Sequence, residues 1–175
     1  MRYKLLGCKI LEREFASVIF SCKNIIDVTL IQQKIHSRPE HLKKILQEEI
    51  NMIDENRHIY SNDTEEYEFD AILLGYGLCS NVVTGLSSKK YPLVIPKAHD
   101  CITLLMGDKE MYMEYYKKNP GTFYYSPGFV ELDNIDDEDY LRRRYDMYLV
   151  RYHGNERRAR RAVEIESEFT QHYQG

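Results

Sequence analysis

The stretch FDAILLGYG, residues 69–77, decides how this chain is read. A continuous apolar run closed by glycines is the pattern of a central strand in a parallel sheet, buried on both faces. Such a strand needs parallel neighbours and the helices that connect them. Both are legible on either side of it.

Upstream, YKLLGCKIL (3–11) reads as a short buried strand running into a helix from about Glu12. Phe15, Val18, Ile19 and Cys22 are spaced for one buried face of that helix. NIIDVTLI (24–31) is rich in β-branched residues and reads as a second strand. In HSRPEHLKKILQEEINMID (36–54), Ser37 and Glu40 have capping-box spacing, with Pro39 in the first turn. Leu42, Ile45, Leu46, Ile50 and Ile53 continue it as an amphipathic helix.

Downstream, YPLVIPKAHD (91–100) reads as a fourth strand stopped by Pro96. A helix from about Cys101 ends at Gly107, and Asp108 caps another through Tyr116, closed by NPG. TFYYS (122–126) is expected as a fifth strand. The fold class is therefore α/β, a mainly parallel sheet flanked by helices. Residues 1–133 form the α/β domain and carry the site. Residues 134–175 form a charged helical extension of the same domain. There Tyr140, Leu141, Met147, Tyr148 and Val150 supply an apolar face, His153 and Gly154 break it, and Asn155 caps a last helix.

The bulk numbers fit one globular domain: 175 residues, 43% hydrophobic and 30% charged. A net charge of -4 disfavours a general affinity for nucleic acid, which needs a basic face. The run RRARR is balanced by nearby acids and reads as a solvated helix face. No apolar run approaches the ~20 residues needed to span a bilayer. The N-terminus lacks the apolar core of a secretory signal, so the cytoplasm is the expected compartment. Four cysteines in that compartment are expected as packed thiols or as reactive and metal-binding groups.

The strand assignments bring these groups together. Cys8 ends the first strand, His36 follows the second, Cys79 the third, and His99, Asp100 and Cys101 the fourth. In an open parallel sheet all carboxyl ends share one edge, where ligands bind. Read singly, a thiol in an apolar run is more often packed than ligating. Read together, the groups mark a site. Gly77 is expected in a backbone conformation costly for other residues, aiming Cys79 inward. Cys22, His41, His58 and His172 are expected to have no role.

With LCSNVVTGL, VIPKAHDC and NPGTFYYSPGF in view, the chain resembles an uncharacterised family catalogued as domain of unknown function 1638. Its pattern has an N-terminal Cys, an L-H-x-x-P-like segment, a Y-G-L-C loop, an H-D-C-I segment and a P-G-T-x-Y segment. These correspond to Cys8, IHSRP, YGLCSNVVTGL, IPKAHDCITLLMG and NPGTFYYSPGF. Ile35 and Phe129 depart from its usual leucine and tryptophan. The resemblance implies a setting beside corrinoid-dependent methyltransferases and other one-carbon enzymes, hence a corrinoid or methyltransferase protein as partner.

Two chemistries suit these residues. Thiolate and neutral imidazole suit zinc or iron, with Cys8, Cys79, His99 and Cys101 as ligands and His36 in reserve. Asp100 would then hold an imidazole tautomer. Three thiolates would equally hold an iron–sulfur cluster. The alternative is metal-free catalysis with Cys79 as nucleophile, His99 as base and Asp100 orienting it. Gly75, Gly77 and Gly85 would then offer backbone N–H groups to an oxyanion or phosphate. A third reading is a non-catalytic partner-binding module. In the C-terminal helices, Tyr140, Tyr145, Tyr148 and Tyr152 interleave with Arg142–Arg144 and Arg151, which is contact-surface composition. A homodimer through these helices is the simplest form of that contact.

Overall fold

The computed structural model describes residues 1–32, 39–57, 68–78, 81–119, 122, 124, 126–132 and 138–174, with backbone only at 130, 132, 138–140 and 169–174. Two compact units divide the chain, Met1–Tyr124 and Tyr125–Gly175.

The first unit is built on β1 (Arg2–Cys8), β2 (Ile25–Ile31), β3 (Ala71–Gly75) and β4 (Leu93–Val94). They form one sheet in the order β2-β1-β3-β4, and every neighbouring pair is parallel. The run that decided the reading is thus an inner strand. The crossovers from β1 to β2 and from β2 to β3 carry helices, as parallel pairing usually does, whereas no α-helix lies among the described residues between β3 and β4. A single 3-10 turn (Lys9–Leu11) leads from β1 into α1 (Glu12–Ser21), and α2 (Pro39–Asp54) follows β2. Ser37, half of the expected capping box, lies outside the described residues.

Helix α2 behaves as its periodicity requires. Leu42, Leu46, Ile50 and Ile53 are buried, and together with Leu6, Ile72 and Leu74 they make the core. Its outer turns also hold the loop before β4. Gln47 bonds the Ser87 backbone at both N–H (3.1 Å) and C=O (2.8 Å), and Asp54 accepts from Ser88 Oγ (2.6 Å) and Lys89 N–H (2.7 Å). Lys4 is buried, pairs with Asp27 at 2.5 Å, and its charge partly offsets the burial that raises the Glu49 pKa.

Helix α1 departs from the expected pattern. Val18, assigned to its buried face, is 69% exposed, while Phe15, Ile19 and Cys22 are half-buried. Phe15 docks instead into a dimple. A Cβ at Gly7 would lie 2.5 Å from its ring, and one at Gly75 would also overlap it. Gly7 and Gly75 are register partners across β1 and β3.

Strand β4 is shorter than expected. Pro92 and Pro96 bracket it, and neither can donate to a ladder. The expected fifth strand is absent at Thr122, Tyr124 and Ser126; Phe123 and Tyr125 lie outside the described residues. The helix punctuation after β4 matches the sequence. Helix α3 (Cys101–Met106) ends at left-handed Gly107, and Asp108 accepts from Met111 N–H to cap α4 (Lys109–Lys118).

The second unit holds α5 (Pro127–Leu132), α6 (Glu138–Arg151) and α7 (Glu156–Gln174). His153 and Gly154 take positive φ between α6 and α7. Asn155 Oδ1 accepts from Arg158 N–H at 3.1 Å, the expected cap. Helix α5 belongs to this unit, so the helical region starts before the change of texture at Asn134. Inside the hairpin, Tyr148 and Glu166 are buried and Arg144 reaches both. Arg160 lies over the Tyr145 ring at 5.9 Å. Among the described residues, no helix is long and apolar enough to cross a membrane.

Candidate functional site

The parallel sheet fixes one edge at which β1, β3 and β4 deliver their following residues. Cys8 closes β1 and is buried. Tyr76, the residue after β3, is buried near it. Burial first, then the charge of Cys8, push the Tyr76 phenol far above its ordinary value. This tyrosine remains a neutral phenol at any physiological pH.

Two contacts lock the loop after β3 onto the segment after β4. Leu78 N–H donates to Ala98 C=O at 2.9 Å. A Cβ on Gly77 would stand 2.6 Å from both Cα and C of Asp100. Gly77 does not take positive φ, contrary to expectation. Glycine is required there by the close approach of another backbone. Beyond the two residues outside the description, the loop is anchored by buried Val82 and Val83, with positive φ at Asn81 and Gly85.

On the facing segment, Asp100 caps α3. Its Oδ1 accepts from Thr103 N–H at 2.7 Å and from Thr103 Oγ1 at 2.8 Å, and its Oδ2 lies 3.3 Å from His99 Nδ1. Partial burial opposes the Asp100 charge. Hydrogen bonds from Thr103 and His99 outweigh it and hold the carboxyl below its usual range. The His99 side chain is 79% exposed, so its Nε2 edge is accessible. Cys101 is half-buried at the first residue of α3.

A tyrosine cluster adjoins this segment. Tyr112 and Tyr124 lie 5.7 Å apart by ring centroids, with Tyr116 6.2 Å from Tyr112 and Tyr115 6.2 Å from Tyr124. Burial, then the Asp100 charge, raise the Tyr112 pKa, which marks the ring as a neighbour of the acid. Sequence reasoning assigned no role to Tyr76 or Tyr112. Their signals were a tyrosine set between two glycines, and tyrosines at 112, 115 and 116 on one helix face.

The expected site residues divide accordingly. Asp100, flanked by His99 and Cys101, meets Gly77 at the sheet edge, where Cys8 also ends. Cys79 and His36 lie outside the described residues. Gly75 is a strand residue beneath Phe15, and Gly85 lies beside α2, where an added Cβ would stand 3.5 Å from Lys43 Nζ. Among the described residues, no group of three or more His, Cys, Asp or Glu is placed to hold a metal ion.

The dual role of Asp100 can be separated by mutation. Asp100→Ala is expected to cost the first unit about 1 kcal/mol through the lost cap, whereas Asp100→Asn keeps a capping oxygen and loses much less. A depressed carboxyl contributes stability above its unfolded pKa of about 4 and loses it as pH falls through the folded value. Urea denaturation should therefore show the wild-type advantage over Asp100→Asn at pH 7, shrinking below pH about 4.

The family described as Protein of unknown function (DUF1638) matches residues 30–175, and the chain belongs to it. Strand β1 and Cys8 precede the matched residues. No curated protein and no solved structure matches the chain.

Proposed function

We propose that this member of the family binds a zinc or iron centre at the carboxyl edge of its sheet. The ligands would come from Cys8, Cys79, His99 and Cys101, with His36 in reserve. One observation carries the reading. The backbone of Gly77 is packed against that of Asp100, so the loop leading to Cys79 is fastened beside the segment that bears His99 and Cys101. The described residues alone do not complete a ligand set, so the reading draws on Cys79, with His36 in reserve.

The chemistry of the donors agrees. Thiolates and neutral imidazole suit zinc and iron, and thiolates alone suit an iron–sulfur cluster. The Asp100 carboxylate engages His99 Nδ1, which leaves Nε2 as the donor, the usual arrangement of an imidazole ligand held by a second residue. A metal with an open position would supply Lewis acidity to a bound thiol or water. The one-carbon and corrinoid setting implied by the resemblance belongs to this proposal, as does a partner protein from that setting.

The test is elemental analysis of protein purified anaerobically without a metal-binding tag. Stoichiometric zinc or iron is expected. Cys79→Ser and Cys101→Ser should each lower it at least several-fold with the far-UV circular dichroism unchanged, while Cys22→Ser should not. If wild type carries neither metal, the reading fails. The contact between His99 and Asp100 favours a second reading in that event, with His99 activating the Cys79 thiol without metal. Rapid alkylation of Cys79 that slows in His99→Ala would then be expected.

A further inference from the structure

The two edges of the sheet are guarded unequally. On one side, β4 is two residues long and lies between Pro92 and Pro96. Shortness and proline are the devices by which natural sheets keep an edge from pairing. On the other side, β2 runs for seven residues with neither proline nor lysine. Its Ile25 is 59% and its Val28 39% exposed. Among the described residues, no strand pairs with its outer side.

The direction of its backbone groups can be worked out. Ile25 N–H donates to Met1 C=O, toward β1. Alternation along the strand then turns Asp27 and Thr29 toward β1 as well. Ile26, Val28 and Leu30 present their N–H and C=O groups outward. These three positions are symmetric about Val28.

We propose that β2 pairs with β2 of a second copy of this chain, antiparallel, about a twofold axis at Val28. In that register Val28 faces Val28 of the partner copy, and Ile26 faces Leu30. All three outward positions fall in hydrogen-bonded pairs, which gives about six inter-strand hydrogen bonds. A shift of two residues in either direction leaves one of the three unmatched on each chain. Side chains agree with the backbone. Apolar residues face apolar ones, and Asp27 faces Thr29, so no like charges are opposed. A twofold contact requires this kind of self-complementarity. The two four-stranded sheets become one continuous sheet, and each proline-guarded β4 remains an outer edge.

Light scattering on the full chain at micromolar concentration should give the mass of two copies. Val28→Lys sets two ammonium groups opposite each other on the axis and should give the mass of one. Val94→Lys on β4 and Val150→Lys on α6 should leave the mass unchanged. A second measurement needs no variant. In hydrogen exchange, the amides of Ile26, Val28 and Leu30 should be protected, and protection should fall on dilution below the dimer range. A monomeric wild-type chain overturns the proposal. So does a dimer in which these three amides exchange freely, or one dissociated by Val150→Lys and not by Val28→Lys, which would place the contact in the C-terminal helices.

Discussion

Replacing Glu166 with alanine is expected to remove about 3–5 kcal/mol from the stability of the second unit. The carboxylate is 8% exposed and receives Arg144 in a two-pronged contact, Nε to Oε2 at 2.8 Å and Nη2 to Oε1. Tyr148 donates to Oε2 at 3.2 Å, and the Arg144 guanidinium stands 5.3 Å from the Tyr148 ring centre. Burial, then the Glu166 charge, push the Tyr148 phenol up to about 12, so it stays protonated and a donor. Removing the acid leaves a largely buried guanidinium without that countercharge. Glu166→Gln keeps the shape and one acceptor and should lose less. Replacing Arg144 and Glu166 together by apolar residues of similar volume should restore much of the loss, because a buried ion pair offsets little more than its own desolvation. Urea denaturation followed by circular dichroism reads all three. A loss under about 1 kcal/mol for Glu166→Ala would show that Arg144 escapes to water.

The second large effect is expected at Gly77. An alanine methyl there meets the Cα and carbonyl carbon of Asp100 at 2.6 Å, and these are backbone atoms with little room to yield. The cost of such overpacking is about 1–3 kcal/mol. The loop must also lift away from the His99–Cys101 segment, so under the proposed metal reading Gly77→Ala should lower metal content as well. Gly107→Ala is the control. It has positive φ (71°) and open space around it, so it should cost about 1–2 kcal/mol by strain alone and leave metal content intact. Equal metal content in the two variants would separate the close approach from the site.

The strands and the punctuation were legible because they depend on local chemistry. β1, β2 and β3 are apolar or β-branched runs bounded by polar residues and glycines. Gly107, Asp108, Gly154 and Asn155 act within one turn of where they stand. Val18 was misplaced because helical spacing gives a face, and only the sheet beneath decides how wide a strip is covered. That sheet covers the strip around Phe15, narrowed by the two glycines below it. The fourth strand was overextended because YPLVIP has strand composition throughout, while its prolines interrupt the ladder. Helix α5 was legible in principle, with Ser126 before Pro127 and Phe129 N–H bonded to Ser126 Oγ at 3.4 Å. Of the site, the strand ends were readable and the fastening of one loop to the other was not. That fastening is a contact between Gly77 and Asp100, 23 positions apart, and Gly77 shows no φ signature.

The dimple beneath Phe15 also acts as a check on how the sheet assembles. β1 and β3 are joined by more than sixty residues of chain, and such distant pairings form slowly and can form wrongly. A slip of one residue turns every β3 side chain to the opposite face. A slip of two keeps the faces but brings Leu5 opposite Gly75, or Gly7 opposite Leu73, and the hollow closes. Only one alignment leaves room for the ring. The two glycines and the phenylalanine together work as a key cut for a single register, and a mispaired sheet leaves that key standing out in water.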